Sequence, residues 1–241
     1  TDFVSEAFNF SEMLYFNSHL KVWLDANDVH ASFSQPANNS QIRTWLDKSG
    51  NNNHAFSIGT SYLVNSKQLD FRRNNAFYIP YSNSLNLENY TVFTVMHLDQ
   101  FHETWTGLVG RKGRNFNIWL NDTGYIHHQF HSNNSTNDGP PDTTTGLFSN
   151  NSKHLVMIGN SGSYAETYFQ GVKRKTSSSF SSIVVHKEII NIGRNLDNTD
   201  TTTLNNLFDG KILEILIFDK QLTDFERIKV NYYLSQKWSM T

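Results

Sequence analysis

The stretch from Phe208 to Trp238, FDGKILEILIFDKQLTDFERIKVNYYLSQKW, constrains the fold of this chain more than any other. Ile212 to Phe218 is apolar except at Glu214, and its β-branched content reads as a strand covered on both faces. Glu214 itself reads as a buried carboxylate paired with a Lys or Arg. Next comes Leu222-Thr223-Asp224-Phe225-Glu226. Here Thr223 can accept the Glu226 amide while Glu226 reaches back to the Thr223 amide, a capping box. Phe225, Ile228 and Tyr232 then recur at helical spacing, which predicts a helix from about Asp224 to Lys237 that packs this face onto the body. A strand shielded on both sides, followed by a helix that returns to it, calls for a layered body of sheets.

Upstream, the pattern is one of strands. They are expected at Val22–Leu24, Gln68–Phe71, Phe77–Ile79, Thr91–His97, Leu108–Arg111, Asn115–Asn121, Tyr125–His131, His154–Ile158, Thr167–Gln170, Ser182–His186 and Lys211–Phe218. No repeat or linker divides residues 19–241, which read as one domain. Residues 1–18 read as a lead segment expected to pack on the body or on a neighbour, because Phe3, Phe8, Phe10, Leu14 and Phe16 make it too apolar for a free tail. Two long polar loops, Ser132–Asn151 and Asn195–Asn206, interrupt the rhythm; loops of this length in a compact domain are commonly functional or disordered.

Composition narrows the functional classes. Charged residues make up 17% of the chain, below the ~25% of an ordinary soluble domain, and Asn, Ser and Thr carry the polarity. Aromatic residues make up 14%, which leaves rings to line a surface once the core is filled. A net charge of −2, with no basic stripe beyond Lys173-Arg174-Lys175, argues against a nucleic-acid partner. No apolar run approaches the ~20 residues that span a bilayer, so no membrane insertion is expected. The absence of cysteine points to a bacterial, phage or viral source, and the start at Thr1 without Met to an excised or mature piece.

The candidate ligand face comes from the hairpin Asn115 to His131. Phe116, Ile118 and Leu120 alternate with Asn115, Asn117, Trp119 and Asn121, and Ile126 and Phe130 alternate with Tyr125, His127, Gln129 and His131. A three-residue loop Asp122-Thr123-Gly124 keeps the apolar faces together by pairing Leu120 with Ile126, with Gly124 at the left-handed position. The other face then sets Trp119 across from His127, Asn117 from Gln129, Asn115 from His131 and Asn121 from Tyr125. A ring plate among amides and imidazoles is the chemistry of a sugar site. Two readings of this face stay open, a ligand surface or one that is solvated or covered by a loop such as Ser132–Asn151. Trp105 and Tyr164 are the alternative ring platforms on loops. His127 and His131 are about 13 Å apart on a strand at ~3.3 Å per residue, too far to share a zinc ion, and His102-Glu103 lacks the second histidine of a metalloprotease helix.

Leu20-Lys21-Val22-Trp23-Leu24-Asp25-Ala26, together with Thr44-Trp45-Leu46-Asp47-Lys48-Ser49-Gly50-Asn51-Asn52-Asn53-His54-Ala55, resembles the opening strand and W-x-D-x-S-G-N-x-x-A turn of laminin-G-like, concanavalin A-like domains. The closing strand and helix resemble the same family. The resemblance implies an all-β, two-sheet antiparallel jelly-roll sandwich with a short C-terminal helix, in which Asp47 accepts turn amides. It also implies a saccharide on the concave sheet, and a Ca²⁺ ion at a loop rim, for which Asp197, Asp200, Asp209 and Asp138 (with Asp142) are the candidates. Retaining glycosidases of this fold carry a strand-borne carboxylate pair; Glu214 and Asp219 have the wrong spacing, and the lyase strands R-x-E-x-R and Q-x-H are missing. The expectation is therefore a non-catalytic carbohydrate-binding or adhesion module of a larger surface, phage or viral protein, placed outside the cell or on a cell or virion surface. A glycan or cell-surface polysaccharide would be its partner, with other domains or chains meeting the lead segment. A structural jelly roll that decorates a virion or fibre comes second, and a polysaccharide lyase or hydrolase third.

Overall fold

A computed structural model of the chain describes residues 18–240 except 35, 66, 133–134, 139–144, 179 and 181–183, with only the backbone described over 135–138. The expected lead segment, Asp142 and the side chain of Asp138 lie outside the described residues. In chain order the strands are β1 (Leu20–Asp25), β2 (Gln41–Trp45), β3 (Ala55–Val64), β4 (Gln68–Arg72), β5 (Asn75–Ile79), β6 (Tyr90–Leu98), β7 (Trp105–Arg111) and β8 (Asn115–Asn121). They continue as β9 (Ile126–Ser132), β10 (Ser135–Asp138), β11 (Ser152–Asn160), β12 (Ala165–Phe169), β13 (Val172–Ser177), β14 (Ile190–Ile192) and β15 (Asp209–Phe218), and the helix α1 (Asp224–Lys237) closes the chain.

All pairings are antiparallel, and the strands follow one path, β10-β9-β8-β7-β14-β5-β3-β4-β15-β6-β11-β12-β13, with β1 added on β15 and β2 on β3. The path curls on itself. Strand β3 makes the turn between layers, pairing with β5 through Phe56–Gly59 and with β4 through Tyr62–Val64. Gly59 sits at the bend with φ +75°, where a Cβ would lie 2.3 Å from the Asn74 carbonyl oxygen, so only glycine fits. Ile118, Leu120 and Ile126 from one layer then meet Val92, Met96, Val156, Ile158, Ile215 and Ile217 from the other in a single buried cluster. Each such side chain removed from water contributes roughly 1.5–3 kcal/mol.

The turn expected around Asp47 forms as read. Its carboxylate accepts the amides of Trp23 (2.8 Å), Ser49 (2.9 Å) and Asn53 (3.0 Å) and the Ser49 hydroxyl (2.8 Å), tying the chain's first strand to the segment after β2. The capping box of α1 also forms: Glu226 N donates to Thr223 Oγ1 at 3.3 Å and Thr223 N to Glu226 Oε2 at 2.8 Å.

The packed face of α1 corrects the sequence reading. Arg227, Val230 and Leu234 are buried against the sheet, whereas Phe225, Ile228 and Tyr232 point outward. Both triplets fit a helical period, and the charge on Arg227 hid the correct one. Its guanidinium lies over Tyr168, 4.2 Å from the ring centroid, and the residue is buried. The strand expected at Ser182–His186 is also corrected. Residues 181–183 lie outside the described residues, 184–186 are not strand, and the sheet uses Ile190–Ile192 instead. β2, β3 and the basic edge strand β13 were not expected: β2 is short, β13 is charged, and β3 is broken in its middle by Gly59 and polar residues rather than alternating cleanly.

Under α1, Glu214 is enclosed by four donors. Trp23 Nε1 (2.8 Å) and the Tyr233 hydroxyl (3.0 Å) donate to one oxygen, and Trp238 Nε1 (2.6 Å) and the Lys237 ammonium (2.9 Å) to the other. Lys237 also reaches Asp25 at 2.8 Å, and Asp25 takes Lys48 at 2.9 Å. Burial pushes the Glu214 carboxyl above its ordinary range despite Lys237. Burial acts the same way on Asp25, but there Lys237 and Lys48 outweigh it and hold the carboxyl low.

Candidate functional site

The β8–β9 register is the one the three-residue loop predicts: Leu120 pairs with Ile126, Trp119 with His127 and Asn117 with Gln129. Gly124 adopts φ +89° and donates its amide to the Asn121 carbonyl at 2.8 Å. Residues opposite one another share a face, so Trp119, His127 and Gln129 lie together on the side away from the core. β7 extends that face, because Trp105 pairs with Asn121 and Gly107 with Trp119. Trp105, placed on a loop by the sequence reading, is a strand residue. Its ring lies 5.5 Å from Tyr125, edge-on, and 5.7 Å from His127. All three rings are half-buried, so the cluster presents apolar faces and polar edges to water.

Two of the expected polar partners do other work. A bulge at Phe116, with φ +49°, breaks the alternation of β8. Asn117 is fully buried, and its Oδ1 accepts the Arg111 amide at 2.8 Å, filling the gap in the ladder. Beyond the bulge Asn115 is also fully buried and donates to the Leu87 carbonyl at 3.2 Å. His131 therefore does not face Asn115; its amide bonds to the Arg114 carbonyl at 2.9 Å, one residue out of register. Asn121 accepts the Thr123 amide and hydroxyl at 2.9 and 2.6 Å and shapes the turn. Tyr164 lies elsewhere, on the β11–β12 turn, with the Lys173 ammonium 5.9 Å from its ring centroid.

The loop 194–206 covers part of this face; of the loop 132–151, residues 133–134 and 139–144 lie outside the described residues. Gly107 has no Cβ because that atom would lie 1.9 Å from the Arg194 carbonyl and 3.0 Å from Leu196. Arg194, fully buried, holds the loop down through Asn191 Oδ1 (2.7 Å) and the carbonyls of Thr203 (2.7 Å) and Asp200 (2.5 Å). Asn206 then ties the loop to the Trp105 carbonyl at 2.9 Å. Trp119, beside this wall, keeps only 8% of its surface exposed, so it forms the floor of the strip while Trp105 and Tyr125 form its accessible rings.

At the far end the strip opens into a cleft of about 600 Å³ lined by Lys112, Gly113, Arg114, His131, His186, Glu188 and Asp197. His131 and His186 meet edge to face at 5.6 Å. The His186 ring rests on Gly113, where a Cβ would lie 2.2 Å away, so this glycine makes the approach possible. Buried Arg111 donates to the His186 carbonyl at 2.7 Å and holds that segment in place. Sequence reasoning missed Lys112, Arg114, His186 and Glu188. The turn Arg111-Lys112-Gly113-Arg114 beside the chosen hairpin was the available signal. A second cavity, of about 520 Å³, lies at the hairpin's other end against Phe101, Thr123, Gly124 and Phe148.

The ring strip carries a neutral imidazole, whereas the cleft is lined by charges of both signs, Lys112, Arg114, Glu188 and Asp197. Burial, with Arg114 adding to it, pushes His127 down to about 4, so the imidazole is neutral at pH 7 and offers one donor and one acceptor. Of the expected calcium donors, the described Asp197, Asp200 and Asp209 are not brought together. Asp200 accepts the Thr202 and Thr203 amides within its own turn, Asp209 pairs with His102 at 2.6 Å, and Asp197 lines the cleft. Among the described residues, no group of three or more His, Cys, Asp or Glu side chains is placed to hold a metal ion.

A family model described as the concanavalin A-like lectin/glucanases superfamily (Laminin_G_3) matches residues 71–226. Among solved structures the chain is similar to domain 4 of AbnA, a GH43 extracellular arabinanase from Geobacillus stearothermophilus, in complex with arabinotriose. There the identity is 15% and the TM-score 0.64, over 88% of this chain and 98% of that one. It is also similar to the binding domain of Paraclostridial Mosquitocidal Protein 1 (15% identity, TM-score 0.67, 91% of this chain and 53% of that one). The botulinum neurotoxin serotype D binding domain is a third (14%, TM-score 0.64, 91% and 52%). The chain thus spans about half the length of the two toxin domains, and at these identities the likeness is one of fold. No curated protein matches the chain in sequence.

Proposed function

Because the chain belongs to the concanavalin A-like lectin/glucanase superfamily, we propose that it is a carbohydrate-binding module acting outside the cell, with its glycan lying along the outer face of β7–β8–β9. The observation that carries this reading is the half-exposed group of Trp105, Tyr125 and His127 at ring separations of 5.5 and 5.7 Å, continuous through Trp119 and Gln129 with the His131 cleft. Rings stack on the apolar face of a pyranose or furanose, while neutral His127, Gln129 and the cleft side chains bond its hydroxyls. The arabinanase domain, whose structure is in complex with arabinotriose, supports an oligosaccharide as the class of ligand. A non-catalytic role is supported by Glu214, whose carboxylate is enclosed by four donors and cannot reach a substrate.

A glycan-array screen of the full chain, followed by titration of the best hit with Trp105→Ala, tests the proposal. Loss of a central ring is expected to weaken binding by ~1–3 kcal/mol with the melting temperature nearly unchanged. Undiminished binding by Trp105→Ala would place the ligand elsewhere.

A further inference from the structure

The cleft at the end of the ring strip is built from different chemistry than the strip. Lys112 and Arg114 reach it from the β7–β8 turn, Glu188 from the segment before β14, and Asp197 from the loop 194–206. Its volume of about 600 Å³ lies within the ~300–1,000 Å³ of small-molecule sites. Among the described residues, the side chains of Lys112, Glu188 and Asp197 make no hydrogen bond or ion pair. Charges of both signs thus line one cleft without neutralising one another, and a ligand can satisfy them.

The balance of those charges is positive. Arg111, fully buried behind the cleft, donates to the carbonyls of His186 (2.7 Å) and Leu85 (2.9 Å), so its bonds go to neutral acceptors. Glu188 is close enough to favour the Arg111 charge, which offsets that carboxylate from behind. Arg111, Lys112 and Arg114 together outweigh Glu188 and Asp197, in a chain whose net charge is −2. The positive excess is therefore a property of this place and not of the whole surface. Arg114 stands where cleft and strip meet, since it lines the one and its charge is felt at His127 in the other.

A sugar that is itself an acid needs both signs. Its acid group takes bonds from a guanidinium fork and an ammonium, and its hydroxyls donate to carboxylates. A neutral sugar would offer Lys112 and Arg114 only hydroxyl oxygens, which are weaker acceptors.

We propose that the cleft binds an acidic unit of the glycan, a sugar bearing a carboxylate or a sulfate, with Arg114 and Lys112 on the acid and Glu188 and Asp197 accepting its hydroxyls. This rests on the reading of the β7–β8–β9 face as a glycan strip. It adds that the ligand is charged, with uncharged faces on Trp105 and Tyr125 and the acid at the cleft.

The test is a glycan array of the full chain in which uronic-acid and sulfated oligosaccharides stand beside their carboxyl-reduced or desulfated counterparts, followed by titration of the best pair. The acidic member is expected to bind about ten-fold or more tightly than its neutral counterpart, the scale of hydrogen bonds to charged groups. Arg114→Gln and, separately, Lys112→Gln are expected to remove most of that preference and to leave affinity for the neutral member unchanged. Lys173→Gln, on the edge strand β13, is expected to change neither. Lys112 is exposed, so its variant decides the matter if Arg114→Gln does not fold. The uronic-acid and sulfated arms tell which acid is read. Equal affinity within each pair, a preference that survives both substitutions, or one that Lys173→Gln reduces as much would overturn the inference, and loss of binding by Trp105→Ala would then leave the ring strip standing. A preference set by Arg114 and Lys112, with binding indifferent to Trp105→Ala, would instead uphold the cleft and overturn the strip. Absence of binding to any glycan would overturn both.

Discussion

The outer face of β15–β6–β11 disappears beneath α1, whereas the outer face of β7–β8–β9, partly walled by the loop 194–206, leaves the rings of Trp105, Tyr125 and His127 half-exposed. Both faces carry aromatic residues at alternate positions, so composition does not separate them. What separates them is how their polar groups are satisfied. Under α1, Glu214 gathers two indoles, a phenol and an ammonium from both sides of the interface, which locks helix to sheet. On the other face, Asn115 Nδ2, Asn117 Oδ1 and Asn121 Oδ1 are turned to the backbone, and His127, Gln129 and the cleft meet the strip. A sandwich needs one sheet fixed to its cover; the other is then available for a ligand.

The largest expected effect breaks the closed side. Glu214→Ala leaves the Trp23 and Trp238 indoles, the Tyr233 hydroxyl and Lys237 without their acceptor, and orphaning a buried charged group costs about 3–5 kcal/mol. Thermal unfolding should show a midpoint roughly 10 °C lower at this chain length. A midpoint within 2 or 3 °C of the parent would mean that α1 is held by its apolar contacts alone.

The open side should instead be sensitive to acid. Burial, with His127 as the second cause, pushes buried His128 down to about 3 from an ordinary 6.5, and His127 lies near 4. His128 Nε2 lies 2.9 Å from the Tyr90 hydroxyl. In the unfolded chain both titrate near 6.5, so their contribution to stability is complete above that pH. It is lost as pH falls toward 4 and then 3, because the unfolded state takes up protons first. Between pH 6.5 and 5, above the range in which ordinary carboxylates titrate, the melting temperature should fall with pH as the unfolded histidines take up protons; a raised carboxyl such as Glu214 works in the opposite direction. His128→Gln should flatten that slope; an unchanged slope would assign the acid sensitivity to other groups.

The two tryptophans of the strip sharpen the comparison within the open face. Trp119, 8% exposed, should lose roughly 2–3 kcal/mol of stability on replacement by alanine, less than the 3–5 of a full core position, along with ligand affinity. Trp105→Ala should lose affinity with little change in stability. Equal stability losses for both would show that the strip is packing rather than platform. The sequence reading left open whether this face is bare or covered by a loop; the loop 194–206, not the one it offered as an example, walls in Trp119 from the Gly107 side.

Much of this was legible beforehand, for a physical reason. Strand β15, the Asp47 turn, the capping box and the β8–β9 register depend on local hydrogen bonding and period-two alternation, which a single sequence displays. The features that were missed depend on partners far away in the chain. Asn115 and Asn117 looked like ligand groups until the Phe116 bulge turned them to the Leu87 carbonyl and the Arg111 amide. The cleft is assembled from 112–114, 131, 186–188 and 197, which no periodicity links. The helix face was misread because Arg227 packs through its guanidinium on Tyr168, a contact that hydropathy counts as polar.

The smallest effect tests how the closed side is started. Thr223 caps α1 through Oγ1, and Glu226 returns the bond to the Thr223 amide while also taking the Lys220 ammonium at 2.7 Å. Burial works against the Glu226 carboxylate, but Lys220 and the Thr223 donors outweigh it and hold its pKa low. Replacing Thr223 with alanine removes the acceptor for the Glu226 amide and the hydroxyl that donates to Glu226 Oε2 at 3.1 Å, but leaves the carboxylate's bonds to the Thr223 amide and Lys220 in place. The loss should therefore be about 1 kcal/mol, the ordinary value for a threonine cap, and a few degrees in melting temperature. Glu226→Gln keeps the reciprocal bond to the amide but weakens the one to Lys220. Because a depressed carboxyl contributes stability only above its unfolded pKa, the glutamine variant should match the parent at low pH and fall below it as pH rises past the ordinary 4.5. A Thr223→Ala loss several times larger, or a glutamine effect without pH dependence, would mean that the helix start is held by tertiary packing of Leu222 rather than by its cap.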